Sequence, residues 1–329
     1  MKHFIVFLSV VFLSAFDGYA QEIIQRKFEK MGSSFELTLV HDDPNEAERL
    51  IEESIAEIDR IEQLISSWDK DSQTSQINKM AGIKPQSISK ELYDLIERAN
   101  TIARLTDGAF DISYASVDNL WSFTGEEIQP PSPSLVEASV NKIGFEKIKV
   151  NAKQQSIFLP KKGMKIGFGA IGKGYAADRV KALLQTQGVK AGIVNASGDM
   201  SAWGTQPDGS AWQIALVNPM NKNKVFSWFS LHNTAVVTSG DYERYLLMEG
   251  KRYGHIINPK TGYPSQGVVS CTVFAPKAEL ADALATALFV MGEEAGIDLV
   301  NQLPNVDALM ITDDGEIITS QNITVDETN

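Results

Sequence analysis

A single cysteine, Cys271, stands among 329 residues. A disulfide framework and a cysteine-built zinc site are therefore excluded. Cys271 lies in the apolar, β-branched run Val268–Phe274, which reads as a buried strand thiol rather than a reactive one. The sequence also lacks a membrane-spanning run at its amino terminus. The apolar stretch from Phe4 to Phe16 would span about 20 Å as a helix, against a hydrocarbon core of about 30 Å. Basic patches are missing too, the largest cluster being Lys161-Lys162 with Lys165. Lys+Arg number 30 and Asp+Glu 42, a formal net charge of −12. Such an acidic surface repels phosphate polymers and disfavours a nucleic-acid partner. There is no internal repeat and no low-complexity tract. What remains is 43% hydrophobic and 22% charged residues, which excludes a disordered, collagen-like or multi-span membrane chain and leaves ample material for a large core.

The first twenty residues have their own logic. Lys2 and His3 precede the apolar run, Asp17 ends it, and Gly18-Tyr19-Ala20 offers small residues at the −3 and −1 sites of a cut before Gln21. This pattern predicts a cleaved secretory signal at 1–20 and a mature domain over 21–329. No cysteine stands at the cut, so a lipid anchor is not expected. The expected location is the periplasm, with no membrane span left after cleavage.

Periodicity organises the rest. Residues 33–40 alternate as a half-buried strand. Pro44 opens a helix with Leu50, Ile51, Ile55, Ile58, Ile61, Leu64 and Ile65 on one face. Ser89 caps a second helix, with Leu92, Leu95, Ile96, Ala99 and Ile102 inward. From Asp107 to about Val136 a Gly-, Pro- and aromatic-rich loop is expected, of the kind that carries function. Short strands follow near 145–150, 156–160 and 164–168, then a helix from Gly172 to about Gln187. Strands are expected near 191–195, 212–217, 225–231, 234–238, 253–258 and 268–274. Helices over 278–291 and to about 303 come next, and strands near 306–312 and 316–319 close the chain. Many strands joined by short turns predict an α+β fold with mixed, largely antiparallel sheets and packed helices.

Gly167-Phe-Gly-Ala-Ile-Gly172 imitates a dinucleotide-binding glycine motif and, with Lys173, a phosphate-binding loop. Gly174 replaces the Ser or Thr that a phosphate-binding loop needs for magnesium. The next strand ends in Asn195 rather than an acid. What survives is a glycine-rich turn into a helix, where backbone N–H groups can meet an anion or simply make a tight turn. Asp282 and Thr286, at i and i+4, project from one helix face and offer oxygen ligands of the type magnesium prefers. Taken alone, such a pair is more simply a solvated first-turn acid and a core-facing hydroxyl. The almost wholly apolar surroundings, Ala281 to Leu288, favour an acid that needs a cation. His255, beside Asn258-Pro259 and the Gly262 turn, is either a strand-end histidine bonded to backbone or a base at the mouth of a site. Trp121, Tyr242 and Tyr245 read as core before stacking platforms. Asn195 and Ser197-Gly198-Asp199 are accounted for by turn chemistry.

Six strings far apart in sequence carry more information together. They are Thr106-Asp-Gly-Ala-Phe-Asp111, Asn119-Leu-Trp121, Gly172-Lys-Gly-Tyr-Ala-Ala-Asp178, Thr238-Ser-Gly-Asp241, His255-Ile-Ile-Asn-Pro-Lys-Thr-Gly262 and Ala281-Asp-Ala-Leu-Ala-Thr286. In this order the sequence resembles the ApbE family, the FAD:protein FMN transferases, from about Met31 to the last strands. The resemblance implies FAD contacts at Met31, Trp68 (where tyrosine is more usual), Ala109, Phe110, Asp111, Lys173 and Ile257. It implies magnesium on Asp282, Thr286 and an oxygen of Ala170. Gly167 falls where the family often has an aspartate linked to FAD binding. The implied activity is magnesium-dependent transfer of FMN from FAD to a threonine hydroxyl of an acceptor flavoprotein, such as a subunit of a membrane redox complex. AMP is released, and His255 is the candidate base. An FAD pyrophosphatase using water as acceptor, or a non-catalytic exported flavin carrier, would share the same site.

Overall fold

The computed structural model describes residues 21–117, 120–218, 221–241 and 244–323. The expected signal at 1–20, Asn119 and Tyr242 lie outside the described residues.

Met31 and Gly32, at φ 53° and 67°, form the left-handed two-residue turn that matches strand twist. They join strands β1 (Glu22–Lys30) and β2 (Ser33–His41). Helix α1 (Pro44–Ile65) follows, with Asp43 Oδ1 accepting from the Asn45 N–H at 2.8 Å and Pro44 in its first turn. Its buried stripe includes Leu50, Ile51, Ile58, Ile61, Leu64 and Ile65. The hairpin is strapped along the polar edge of α1. Arg26 bonds Glu48, Lys30 Nζ lies 2.6 Å from Asp59, and the Met31 N–H donates to Glu62 Oε2 at 3.1 Å.

Helix α2 (Gln73–Lys79) and strand β3 (Gln86–Ser87) occupy a stretch in which periodicity predicts no element. Helix α3 (Lys90–Leu105) begins at the expected Ser89 cap, whose Oγ accepts from the Leu92 N–H at 3.3 Å. The expected 107–136 loop is partly ordered: it holds a 3-10 turn, Ile112–Val117, and runs into α4 (Pro133–Val140). The strand expected at 145–150 is a 3-10 turn, Phe145–Lys147, followed by the three-residue β4 (Lys149–Asn151), which pairs with β5 (Ser156–Phe158).

No strand forms at 164–168. The Lys165 N–H donates to Ser116 Oγ and Ser116 Oγ to the Lys165 carbonyl, while Asn78 brackets Ile166 on both N–H and carbonyl. The Gly167 N–H donates to the Ile112 carbonyl. Side chains and a 3-10 turn satisfy this backbone in place of a strand partner.

Helix α5 (Gly172–Thr186) leads to the hairpin of β6 (Gly192–Ala196) and β7 (Asp199–Trp203). A second hairpin follows, β8 (Trp212–Asn218) with β9 (Asn221–Leu231), then β10 (Ala235–Gly240), the hairpin of β11 (Tyr245–Met248) and β12 (Lys251–Gly254), and β13 (Val268–Ala275). Helices α6 (Ala278–Met291) and α7 (Glu293–Val300) and strands β14 (Asp307–Thr312) and β15 (Ile317–Thr319) complete the order. The central sheet runs β1-β2-β6-β7-β10-β13-β14-β15, antiparallel throughout. The α+β expectation holds.

Helices α1, α5 and α6 share one core with the sheet, in which Cys271 is fully buried as expected. The hairpin β8–β9 packs Trp212, Ile214 and Leu216 against Val40, Ala202 and Val236 of the opposite face. Helices α5 and α6 touch so closely that a Cβ at Gly174 would sit 2.2 Å from the Ala278 carbonyl oxygen. Glycine is required there by backbone proximity, not by a ligand. Among the described residues, no helix is long and apolar enough to cross a membrane.

Candidate active site

One cleft of about 860 Å³ opens where the β1–β2 turn, the end of α1, the 109–114 segment, the start of α5, strands β7 and β10, the 255–259 segment and α6 converge. Of the residues named from sequence, Met31, Trp68, Ala109, Phe110, Asp111, Ala170, Lys173, His255, Ile257, Asp282 and Thr286 all line it. Gly167 does not. It is buried behind the wall, and a Cβ placed on it would meet Ala115 Cβ at 3.1 Å.

The floor is built where α5 crosses α6. Asp282 is buried to 4% exposure, and its Oδ2 accepts the Gly174 N–H at 3.0 Å. Burial raises its carboxyl above the usual range, against the opposing pull of the Lys173 charge and that N–H. A buried acid thus replaces the solvated first-turn acid that was the simpler alternative. Thr286 lies one turn along, partly exposed to the cleft, with its hydroxyl 3.3 Å from Ser239 Oγ of β10. Lys173, in the first turn of α5, places Nζ 2.7 Å from Oδ2 of Asp199, the buried first residue of β7.

Asp111 is committed to local architecture. Its Oδ1 accepts from the Ser113 N–H at 2.8 Å and the Ser113 hydroxyl at 2.6 Å, and its Oδ2 from the Phe145 N–H at 2.7 Å. Burial still raises its carboxyl. The carboxylate clamps the segment, so Ala109 and Phe110 present a fixed edge to the cleft.

At the mouth, Trp68 is 91% exposed. The Ser66 hydroxyl accepts its N–H at 3.2 Å and that of Asp69 at 3.0 Å. His255 is half-buried, with the Phe123 ring edge-on at 6.4 Å. The following turn is pinned by the Gly262 N–H to the Asn258 carbonyl and by the Lys260 N–H to Asn258 Oδ1. Trp121 is core: its Nε1 donates to the Gly262 carbonyl at 2.8 Å. Tyr245 stacks beneath the Arg252 guanidinium at 4.2 Å and lies outside the cleft.

Sequence reasoning missed Glu62, Tyr114 and Arg244, all on the cleft wall, and assigned Asp199 to turn chemistry alone. Glu62 and Tyr114 sit in patterns already explained by helix amphipathicity and by a loop. Only the tertiary crossing turns them toward the cavity.

These features define a class: an α+β protein with one large polar cleft, floored by a buried carboxylate and a hydroxyl one helical turn apart and rimmed by an exposed indole. The profile of the ApbE family matches residues 31–310, and the chain belongs to that family. It is 30% identical over 304 residues to the FAD:protein FMN transferase of Escherichia coli K12, covering 91% of this chain and 86% of that one. To the FAD:protein FMN transferase of Vibrio cholerae serotype O1 it is 31% identical over 332 residues, 96% of each. The crystal structure of the ApbE protein from Thermotoga maritima superposes with a TM-score of 0.84 at 32% identity, over 91% of this chain and 97% of that one. The flavin transferase ApbE from Vibrio cholerae gives 0.82 at 28% identity, over 92% and 98%.

Proposed function

We infer that this chain is an FAD:protein FMN transferase that moves FMN from FAD onto a threonine hydroxyl of an acceptor flavoprotein and releases AMP. The observation that carries the reading is the convergence of five of the six separated strings on one cleft, whose volume lies in the upper part of the range of about 300–1,000 Å³ usual for ligand sites.

The charge balance of that cleft supports a metal. Five carboxylates line it, Glu29, Glu62, Asp111, Asp199 and Asp282, against two cations, Lys173 and Arg244. A pyrophosphate dianion entering such a site needs additional positive charge. The buried Asp282 carboxylate, with no hydrogen bond beyond that of Gly174 among the described residues, fits a cation, as does the hydroxyl of Thr286. No three His, Cys, Asp or Glu residues cluster to hold a metal among the described residues. That suits magnesium, which usually takes one or two carboxylates and keeps waters and substrate oxygens. Asp282, Thr286 and the Ala170 carbonyl would hold it. Magnesium bound there supplies charge neutralisation at the pyrophosphate.

The remaining work falls to the chain itself. Lys173, anchored by Asp199, presents a cation to the phosphates from the first turn of α5. The fixed 109–110 edge, Met31 and Ile257 bound the flavin end, and Trp68 offers a ring face for stacking. His255 takes the proton from the attacking hydroxyl. That oxygen bonds to the FMN phosphorus, the bond from this phosphorus to the bridging oxygen breaks, and AMP departs with the bridging oxygen.

The reading extends to export: cleavage before Gln21 would deliver the enzyme to the periplasm, where acceptor domains of membrane redox complexes are accessible. The test incubates the chain with FAD, magnesium and an acceptor domain, then weighs the acceptor by mass spectrometry and quantifies AMP. An acceptor gaining FMN minus water in step with AMP, and losing the gain in EDTA, is the expected result. FMN freed as fast as AMP, with the acceptor unmodified, would favour the pyrophosphatase.

A further inference from the structure

Behind the cleft wall stands Gly167, where the family resemblance implies an aspartate, so the polar atoms of this corner come from other residues. The polar atoms nearest the missing side chain belong to neighbouring residues. From the position a Cβ would take on Gly167, Ser67 Oγ lies at 3.8 Å and the Tyr114 hydroxyl at 4.0 Å.

Tyr114 is the better placed of the two. It lies on the 3-10 turn clamped by Asp111 and lines the cleft. Its hydroxyl sits 2.6 Å from where a Cβ on Gly169 would be, so residue 169 must be glycine for the phenol to reach this corner. The Gly169 N–H faces the phenol oxygen, and the Asp282 charge acts on the same group. The hydroxyl is therefore at the floor, near the proposed metal pair and the start of α5. With the Gly169 N–H occupying one side of the oxygen, and no protein acceptor for the phenol proton among the described residues, that proton is free to be given to a ligand. Burial and the Asp282 charge both raise the phenol above its ordinary range, so it stays protonated.

We propose that Tyr114 is an FAD-binding residue of this chain, its hydroxyl donating a hydrogen bond to the nucleotide from the cleft wall. The inference rests on the FAD reading above. The glycine at 169 admits the phenol, and the phenol offers a hydrogen bond to the nucleotide without adding another negative charge to an acid-rich cleft.

The test is equilibrium binding of FAD to the full chain, read by tryptophan fluorescence with no acceptor present, together with the melting temperature of the FAD-free protein. Tyr114→Phe keeps the ring and removes the hydroxyl. Its expected result is an FAD Kd raised about tenfold, the weight of one hydrogen bond to a polar ligand, with the FAD-free melting temperature close to wild type. An unchanged Kd in Tyr114→Phe overturns the proposal, as does a lowered FAD-free melting temperature without a change in Kd, which would make the hydroxyl purely structural. Failure of the wild type itself to bind FAD would instead strike the parent reading and is distinguishable on the same titration.

Discussion

Two sets of carboxylates in this molecule face opposite physical circumstances. On the outer surface of α1, α3 and α5, Glu57 and Glu91 accept hydrogen bonds from Arg60, at 2.7–2.8 Å, and Glu91 also from Tyr175. The Arg60 guanidinium holds Glu91 down to about 2, and it lowers Glu57 as well. At and behind the cleft floor, burial raises Asp111, Asp178 and Asp282 despite the N–H groups they accept. The first set favours the folded chain when ionised; for the second, burial disfavours the ionised form. Within the second set a further division appears. Asp111 and Asp178 are spent on backbone, Asp178 accepting the Ala278 and Glu279 N–H groups that open α6, each at 3.0 Å. Among the described residues, Asp282 accepts one N–H. The acid with the least local justification is the one proposed to hold the metal, the pattern expected where function is retained against stability.

Removing groups in turn sharpens that contrast. The largest effect is expected from Asp282→Ala, which should reduce magnesium-dependent FMN transfer on the order of a thousandfold while the chain stays folded, measured by steady-state AMP release and circular dichroism. His255→Ala should slow transfer about a hundredfold and leave FAD affinity nearly unchanged. Equal losses in both would make it a binding residue. Asp178→Ala leaves two N–H groups of α6 without their cap and should cost about 2 kcal/mol in denaturant unfolding, with transfer falling only as α6 loosens. The smallest effect belongs to the surface. Because the folded pKa of Glu91 lies below its ordinary 4.5, its stabilisation is complete above that value and is lost as pH falls towards about 2. Solvent screening keeps it under about 1 kcal/mol. Glu91→Gln should flatten the acid limb of a stability–pH curve by that amount and leave the curve unchanged at neutral pH apart from a small constant offset. Asp178 has the opposite sign: its contribution is present below its ordinary 3.8 and lost as pH rises through its raised folded value.

Much of this was legible along the chain. Helix α1 announced itself by Pro44 and its stripe, α3 by Ser89, and α6 by the apolar run around Asp282, because each is a local pattern with a local cap. The strand expected at 164–168 failed for a tertiary reason: Asn78 and Ser116, 88 and 49 residues away, take over its backbone bonds. The cleft residues with unusual local strings, Lys173, His255, Asp282 and Thr286, were visible. Glu62 and Tyr114 were not, since an acid on an amphipathic helix and an aromatic in a loop have adequate local explanations. The glycine motif illustrates the converse. Gly169 and Gly174 resemble phosphate-binding glycines but are required by the Tyr114 hydroxyl and the Ala278 carbonyl.

The central claim, that Asp282 is kept buried for a cation at the expense of stability, is tested most directly by the melting temperatures of the wild type and Asp282→Asn, each with and without magnesium and FAD. The asparagine oxygen still accepts the Gly174 N–H, so only the charge is removed. The account predicts that the variant alone melts at or above the wild type, and that magnesium with FAD raises the wild type further than it raises the variant. A variant that melts well below the wild type when both are ligand-free, yet gains as much from magnesium and FAD, would contradict it.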